Sequence, residues 1–313
     1  MDFTKKFNIG LTLQTSYSKF ERFLEKYHTY IHSFYFSLPL GVKYHTRSRV
    51  AAEFMLPGKK RQFWRMLALI KKYGIELELL FNTLRLDEEL IAKARACLDE
   101  RGVEVDSVCF LAPYYQAVCK YFPTQKYIWS FNNGFRTKKE IDDIIDNCRA
   151  DAFVLGSLFI RNNSLFAHLA SRGKGTYLLL NNGCSFNCAT CNNTQSLCEH
   201  FFVENLKTHS LDYLYALQSI FPCELHDGII ETQHIRCIKI SNRSSDLNFV
   251  IGAMDSYINS VVRPYVEKSP KCYAYWGRAG YFWKHFKRLD LDKILEYKKE
   301  LYKKHGVDYE ECL

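Results

Sequence analysis

Short apolar runs rich in β-branched and aromatic residues recur along the chain, and each predicts a buried β-strand. Between most of them lie stretches in which apolar residues return every three or four positions, as on one face of an α-helix. The predicted strands are residues 7–13, 31–38, 75–81, 105–111, 127–131, 152–158, 176–180 and 235–240. The predicted helices are residues 19–30, 61–73, 88–101, 138–148, 165–172, 211–221, 247–262 and 291–304.

The alternation of strands and helices predicts parallel strands joined by right-handed crossovers. Eight strands favour an α/β fold of the closed (β/α)8 TIM-barrel type, complete or incomplete, over an open doubly wound sheet. We expect residues 1–262 to form the barrel. We expect residues 263–313 to add an aromatic segment and a final helix that pack against it.

The connection after the seventh predicted strand is much longer than the others. Residues 183–233 form a cysteine-rich loop, whereas such connections usually need about two to six residues. Barrel enzymes carry their catalytic groups in the loops at the carboxyl ends of the strands. We therefore expect the chemistry of this chain in that loop.

The composition is that of a soluble globular protein, since 47% of the 313 residues are hydrophobic and 25% are charged. This balance excludes a disordered tail, a collagen-like chain and a bundle of membrane helices. The chain has no stretch of about 18 consecutive apolar residues, and residues 1–17 lack the apolar core and cleavage site of a secretory signal. We therefore expect a cytoplasmic protein without a membrane span.

Twelve cysteines in a long chain of a reducing compartment point to metal or redox chemistry. Cys184, Cys188 and Cys191 are separated by three and two residues, and Cys198 follows seven residues later. Thiolates at this spacing can surround one face of a 4Fe–4S cluster. Zinc is the alternative, since Cys188 and Cys191 are also half of a zinc site that Cys198, Cys223 or a histidine could complete. The third interpretation is that these thiols bind no metal.

The same triplet is similar to the signature of radical S-adenosylmethionine enzymes, in which three cysteines leave one iron open for S-adenosylmethionine. In that family the triplet follows an early strand, and an aromatic residue usually precedes the third cysteine. Here the triplet follows the seventh predicted strand, and Thr190 precedes Cys191. This family is kept as an alternative.

Four segments spread along the chain carry a second resemblance. They are Ile-Gly-Leu-Thr at 9–12, the run from Ser37 to Arg49, Ile-Lys-Ile-Ser-Asn-Arg-Ser-Ser at 238–245, and Cys-Tyr-Ala-Tyr-Trp-Gly-Arg-Ala-Gly at 272–280. In order and spacing they resemble the collagenase-like peptidase family. Members of that family include oxygen-independent hydroxylase subunits of the UbiU/UbiV type and enzymes that hydroxylate RNA bases.

This resemblance implies a barrel with a 4Fe–4S cluster held by four cysteines, and hydroxylation without molecular oxygen, with a small organic acid as oxygen donor. Despite the family name, we do not expect peptidase activity. The UbiV-type subunit takes one ligand from the loop after strand two, where residues 42–45 have no cysteine. The fourth ligand therefore stays open between Cys198, the first choice, and Cys223. A related partner subunit is also implied, because UbiU and UbiV work as a pair.

The net charge of +9 is concentrated in residues 41–72, which contain nine Lys or Arg and one acid, Glu53. Lys43, Arg47 and Arg49 follow the second predicted strand, where they could bind a carboxylate or phosphate at the barrel mouth. We therefore expect an anionic small molecule or nucleotide as substrate, and RNA is a further candidate partner. The basic residues at 59–61 could equally be a solvated helix face.

Polar residues also follow other predicted strands. Asn82, Asn132, Asn181 and Arg243 could line the mouth with hydrogen-bonding groups, with Arg243 adding a contact to an anion. Alternatively, asparagines such as Asn133 complete turns and caps. The sequence has no recognisable Ser-His-Asp set, P-loop or zinc-protease motif, so no catalytic residue is assigned.

Together these features predict an iron–sulfur enzyme that carries out an oxygen-independent hydroxylation or a related redox modification. One alternative is a radical S-adenosylmethionine enzyme. The other is a non-catalytic barrel, stabilised by a metal, that binds RNA or a partner protein. This last alternative predicts that cysteine substitutions unfold the loop and that no turnover is found.

Overall fold

The fold is given by a computed structural model, which describes residues 2–13, 15–40, 57–82, 86–133, 137–156, 159–180, 220–240 apart from 221, 227 and 229, and 247–259. Its strands are β1 (Phe7–Gly10), β2 (Ile31–Phe36), β3 (Glu76–Phe81), β4 (Ser107–Phe110), β5 (Lys126–Trp129), β6 (Ala152–Leu155), β7 (Gly175–Leu179) and β8 (Ile235–Ile240). All eight are parallel and pair in chain order, and the pairing of β8 with β1 closes the barrel. The predicted TIM-type barrel is confirmed, and the incomplete alternative is wrong.

Helices lie outside the barrel and connect most of the strands. They are α1 (Tyr17–Tyr27), α2 (Pro57–Lys72), α3 (Glu88–Glu100), α4 (Tyr115–Tyr121), α5 (Lys138–Asn147), α6 (Asn163–Ser171), α7 (Pro222–His226) and α8 (Leu247–Asn259). Four of them start at a residue whose side-chain oxygen accepts the backbone N–H three residues later, namely Ser16, Asp87, Thr137 and Asn162. Across the described ranges, no helix is long and apolar enough to cross a bilayer.

Each predicted strand overlaps an observed one, and most observed strands end earlier than predicted. The first, for example, ends at Gly10, although Leu11 N–H still donates to the Tyr35 carbonyl at 3.0 Å. Six predicted helices are also observed, whereas those at 211–221 and 291–304 fall outside the described residues except for residue 220. Helices α4 and α7 were not predicted, because seven and five residues are too few to show a helical repeat.

Two apolar layers hold the barrel together. One lies between strands and helices and includes Phe20 of α1, Leu67 of α2 and Phe34 of β2. The other fills the barrel itself and consists of Tyr35, Leu80, Cys109, Ile128, Phe131, Ala152, Val154, Tyr177, Leu179 and Cys237. Because successive strand residues point to opposite faces, most strands supply side chains to both layers, whereas β1 supplies Phe7 and Ile9 to the outer one only.

Candidate functional site

The carboxyl ends of the parallel strands meet at one rim of the barrel, called here the mouth. Of the predicted site residues, Asn82 directly follows β3 and is half-buried, and Asn132 lies in the 3-10 turn Phe131–Asn133 after β5. Cys223 falls on α7, where the structure describes the backbone only. Outside the described residues lie Lys43, Arg47, Arg49, Asn181, Arg243, Cys184, Cys188, Cys191 and Cys198.

Asn133 holds two neighbouring strand exits together. Its Oδ1 accepts the backbone N–H of Ala112 at 2.6 Å, and its Nδ2 donates to the carbonyls of Phe110 and Ser130 at 3.2 and 2.9 Å. The amide therefore links the backbone that follows β4 to the turn that follows β5 at the mouth. For this residue the turn interpretation is confirmed.

The interior of the barrel is divided into a polar and an apolar side. Four adjacent strands, β8, β1, β2 and β3, supply buried polar side chains, which are Lys239, Asn8, Ser33 and Glu78. The opposite strands, β4 to β7, supply Cys109, Ile128, Ala152, Val154, Tyr177 and Leu179 to the apolar cluster, which Tyr35, Leu80 and Cys237 of the polar side also join. A barrel interior is ordinarily filled with branched apolar residues, so the polar side is the unusual one.

Glu78 is the centre of the polar side. One carboxylate oxygen, Oε1, accepts a hydrogen bond from Lys239 Nζ, and Oε2 accepts one from Asn8 Nδ2 at 2.7 Å. The same Asn8 amide donates to Ser33 Oγ at 2.5 Å. This orientation of the amide follows from the carboxylate, since a flipped amide would turn its oxygen toward Glu78. Glu78 thus joins β8 and β1 to β3 directly, and Asn8 extends the network to β2.

Lys239 lies one residue before the mouth on β8, and its ammonium group is held from two sides. Glu78 accepts its hydrogen bond, and the Tyr35 ring centre is 4.2 Å from Nζ, a cation–π contact. The Tyr35 hydroxyl donates to the carbonyl of Ile240 at 2.7 Å, which fixes the ring across the end of β8. Burial alone would lower the pKa of Lys239, but the Glu78 carboxylate, together with Cys109 and Tyr35, outweighs burial and raises it.

These contacts define what the centre can do. A lysine nucleophile requires a lowered pKa, so Lys239 is instead a fixed positive charge with a permanent counter-ion. Burial also raises the pKa of Cys237 well above its ordinary value, so this thiol is neutral in the barrel interior. The Lys239–Glu78 pair can therefore orient a polar group at the mouth by electrostatics.

Phe131 closes the apolar side of the barrel toward the mouth. Its ring rests on Gly156, where an added Cβ would lie 1.9 Å from the ring atom Cε2. Gly156 therefore leaves the space that the Phe131 ring fills, and a larger residue would force the ring out of the interior cluster.

A second charged network lies at the amino end of the barrel. Glu76 Oε1 accepts a hydrogen bond from Lys126 Nζ at 2.9 Å, and its other oxygen is 3.6 Å from His32 Nε2. His32 Nε2 also lies 3.1 Å from the Tyr177 hydroxyl. Burial lowers the pKa of His32 to about 4, although the Glu76 carboxylate acts in the opposite direction. This histidine is therefore neutral at pH 7, and its Nε2 shares one hydrogen bond with the Tyr177 hydroxyl.

The described chain leaves the barrel after β7 and returns to it at the same point. Leu180 N–H donates to the Lys239 carbonyl at 3.0 Å, and Ile220 N–H donates to the Leu180 carbonyl at 2.9 Å. The Tyr257 hydroxyl of α8 donates to the Ile220 carbonyl at 2.5 Å. Both ends of the 181–219 segment, which contains four of the five cysteines in the predicted ligand set, are therefore fixed at the mouth.

Sequence reasoning missed Glu78 and Lys239 as site residues. Both occur in strands with strict alternation, Glu-Leu-Glu-Leu at 76–79 and Ile-Lys-Ile at 238–240. In a strand covered by helices on one face, alternation with charged residues indicates a polar barrel interior. That alternation was the signal available for Glu78 and Lys239.

No known protein-family profile matches the chain, and no curated protein sequence matches it significantly. Among solved structures, a U32 peptidase is similar at 12% identity and a TM-score of 0.47, covering 78% of this chain and 95% of its own. An aldo-keto reductase from Bacillus halodurans is similar at 12% identity and a TM-score of 0.41, covering 84% of this chain and 86% of its own. An aldolase/citrate lyase family protein from Burkholderia cenocepacia is similar at 10% identity and a TM-score of 0.41, covering 82% of this chain and 94% of its own. The likeness concerns the barrel architecture alone.

Proposed function

We propose that this chain is a barrel enzyme with a 4Fe–4S cluster at its mouth, held by Cys184, Cys188, Cys191 and Cys198, and that it acts on an anionic small molecule or nucleotide. The observation that carries the proposal is the pairing of Leu180 with Ile220, which fixes both ends of the cysteine-bearing segment to the carboxyl rim. Cys184 follows Leu180 by four residues, and four residues of extended chain span at most about 14 Å. In TIM barrels this rim is where catalysis takes place.

The donor set fits an iron–sulfur cluster. Clustered thiolates are soft ligands that select iron–sulfur clusters or zinc over hard cations. Within the described ranges, no group of three or more His, Cys, Asp or Glu side chains could hold a metal, so no second site competes for it there. When bound, such a cluster supplies electron transfer or a Lewis-acidic iron.

Basic side chains around the mouth would bind the substrate. The segment with Lys43, Arg47 and Arg49 follows β2, and Arg243 follows β8, while both of these strands pair with β1. These arginines are suited to bind a carboxylate or phosphate in bidentate fashion. Asn82, Asn132 and Asn181 would orient the remaining polar groups, and the Lys239–Glu78 pair adds a fixed dipole below them.

The resemblance to the collagenase-like peptidase family extends the proposal to the reaction. It implies oxygen-independent hydroxylation, or a related redox modification, with a small organic acid as oxygen donor and a related chain as partner subunit. We do not propose peptidase activity. RNA remains a candidate substrate because the basic residues 41–72 would also suit its phosphates.

The test is anaerobic purification followed by iron, sulfide and zinc analysis. We expect about four irons and four sulfides per chain, as a 4Fe–4S cluster requires. Substituting Cys184, Cys188 and Cys191 by serine should abolish both, whereas Cys97→Ser on α3 is the matched control and should leave them unchanged. One zinc per chain without sulfide would overturn the proposal.

Single substitutions identify the fourth ligand. Loss of the cluster in Cys198→Ser with retention in Cys223→Ser supports the assignment, and the reverse result transfers the role to Cys223. Reduced, reconstituted protein that cleaves S-adenosylmethionine would replace hydroxylation by radical chemistry. A cluster whose loss unfolds the loop, in a protein that turns over no tested nucleotide or organic acid, would favour the non-catalytic alternative.

A further inference from the structure

The buried ammonium group of Lys239 has donor capacity that the described part of the chain does not use. A lysine ammonium carries three N–H donors. One is bound to Glu78 Oε1, and the ring of Tyr35 faces the ammonium with its centre 4.2 Å from Nζ. Among the described residues, Nζ has no second hydrogen-bond acceptor. A donor on a side chain that is only 9% exposed is therefore available to a ligand.

A buried acceptor beside Lys239 also lacks a partner. Asn8 pairs with Lys239 in the register of β1 with β8, and both side chains reach Glu78 inside the barrel. Asn8 Nδ2 donates to Glu78 and Ser33, whereas Asn8 Oδ1 is buried and has no hydrogen-bond partner within the described ranges. Buried amide oxygens are ordinarily paired, so a donor is expected at this place.

Strand β1 places no side chain above Asn8 on the side of the mouth. Gly10 lies two residues after Asn8, so it faces the interior at the next level, in register with Tyr35 of β2. Its φ angle is not positive, so the backbone at this position does not require a glycine. A glycine in a strand commonly marks a place where a ligand or another backbone comes close. Gly10 thus leaves an approach from the mouth to Asn8 and Lys239.

The charge of the site selects the kind of group that fits it. The positive charge of Lys239 is compensated by the Glu78 carboxylate, which is fully buried. A carboxylate or phosphate placed beside Glu78 would add a negative charge, removed from water, that has no cation of its own. An uncharged carbonyl oxygen accepts the same hydrogen bond from the ammonium without this cost.

Burial of an ion pair does not by itself indicate a ligand. Arg161, in the turn after β6, and Glu224 of α7 are also buried, with side chains 7% and 0% exposed. Arg161 Nε and Nη2 donate to both Glu224 carboxylate oxygens at 2.5 and 2.9 Å, so this bidentate pair fastens two segments of the chain. The Lys239–Glu78 contact is a single hydrogen bond beside an unpaired acceptor and a glycine. That combination indicates a ligand site.

We propose that Lys239 and Asn8 bind an uncharged carbonyl group of the substrate, most completely an amide. Its oxygen accepts from Lys239 Nζ, and its N–H donates to Asn8 Oδ1. Leu179 of β7 is in register with Lys239 and belongs to the apolar cluster, so the apolar part of the ligand packs on that side. This inference rests on the mouth as the substrate site of the proposed function, but it does not depend on the cluster.

The test uses the anaerobically purified full chain and benzamide labelled with carbon-13 at its carbonyl. We expect saturable binding in NMR titrations, with a downfield shift of the bound carbonyl carbon, because an ammonium donor polarises the carbonyl. Acetophenone keeps the carbonyl but lacks the N–H, and benzoate carries a negative charge. Each should bind at least about tenfold more weakly than benzamide.

Two variants remove the site in different ways. Glu78→Leu combined with Lys239→Met removes the donor together with its counter-ion, and Gly10→Val adds a side chain above Asn8 and keeps every charge. We expect both to melt cooperatively and to bind benzamide at least about tenfold more weakly than wild type. Lys126→Met is the matched control, because Lys126 also pairs with a glutamate of β3, but at the amino end of the barrel. It should leave the affinity and the carbonyl shift unchanged.

The outcomes separate this inference from the iron–sulfur proposal. Wild-type protein that does not bind benzamide, or binds it no more tightly than benzoate, overturns the carbonyl site whatever its iron content. Equal benzamide affinity in wild type and in the Glu78→Leu, Lys239→Met variant also overturns it. Binding that is lost in both folded variants supports the carbonyl site, and if wild type then contains no iron and sulfide, only the cluster is contradicted.

Discussion

Two glutamates of β3, Glu76 and Glu78, face the barrel interior two residues apart and differ above all in their exposure to water. Glu76 is 27% exposed and pairs with Lys126, which is 45% exposed. Glu78 is fully buried, and its partner Lys239 is 9% exposed. The residue type, the strand and the lysine partner are the same, so the comparison shows chiefly the effect of water on an ion pair, although Glu78 also accepts from Asn8 and Glu76 lies near His32.

The comparison shows that ion pairs at the two ends of the barrel interior contribute differently to stability. An ion pair in contact with water is screened and contributes about 0–1 kcal/mol to stability. A pair removed from water depends on every partner, because an uncompensated charge is left when one partner is lost. The amino end of the barrel can therefore vary, whereas the polar side below the mouth must be kept as a complete set.

The largest effect is expected for Lys239→Met. The substitution leaves the Glu78 carboxylate buried with Asn8 and without a counter-ion, and removal of one partner of a buried pair costs about 3–5 kcal/mol. Urea denaturation followed by circular dichroism measures the loss of free energy of unfolding. A loss below about 1 kcal/mol would contradict the view that the pair is fully desolvated.

A double variant sharpens this result. Glu78→Leu combined with Lys239→Met removes both charges, so we expect it to be more stable than Lys239→Met alone by more than about 1 kcal/mol. If the double variant is as unstable as the single one, lost packing and not an unpaired charge explains the effect.

The barrel could be predicted from the sequence because its evidence is local. Apolar runs and helical repeats extend over five to fifteen residues, and caps such as Asp87 stand directly before the helix they start. Helix α5 follows the same rule, with Thr137 and Glu140 forming a capping box.

The interior pairs could not be predicted because their partners are distant in sequence. Glu78 and Lys239 are 161 residues apart, and Arg161 and Glu224 are 63 residues apart. Nothing local distinguishes Glu78, which is buried, from Glu76, which reaches water. Residues at the mouth could be predicted only from the positions where strands end. That rule correctly places Asn82 and Asn132 after β3 and β5, but it does not show that Asn133 completes a turn.

A pH titration tests the amino-end network. The unfolded chain binds a proton at His32 near its ordinary pKa of 6.5, but the folded chain binds it only near the lowered pKa of about 4. The free energy of unfolding should therefore fall as the pH drops below 6.5, by about 2 kcal/mol between pH 7 and pH 5. His32→Gln keeps a neutral hydrogen-bonding side chain beside Tyr177 and should remove this decrease of the free energy of unfolding between pH 7 and pH 5. Urea denaturation at several pH values measures this free energy. If it decreases between pH 7 and pH 5 as much in His32→Gln as in wild type, the prediction is wrong.

The smallest effect is expected for Lys126→Met, the exposed counterpart of Lys239→Met. Lys126 and its partner Glu76 both reach water, which hydrates the carboxylate when the lysine is lost, so the free energy of unfolding should change by less than about 1 kcal/mol. Removing this positive charge should also raise the pKa of His32, because Lys126 contributes to lowering it. Urea denaturation gives the first quantity, and proton NMR titration of the His32 ring gives the second. If Lys126→Met were as damaging as Lys239→Met, burial would not be what separates the two glutamates of β3.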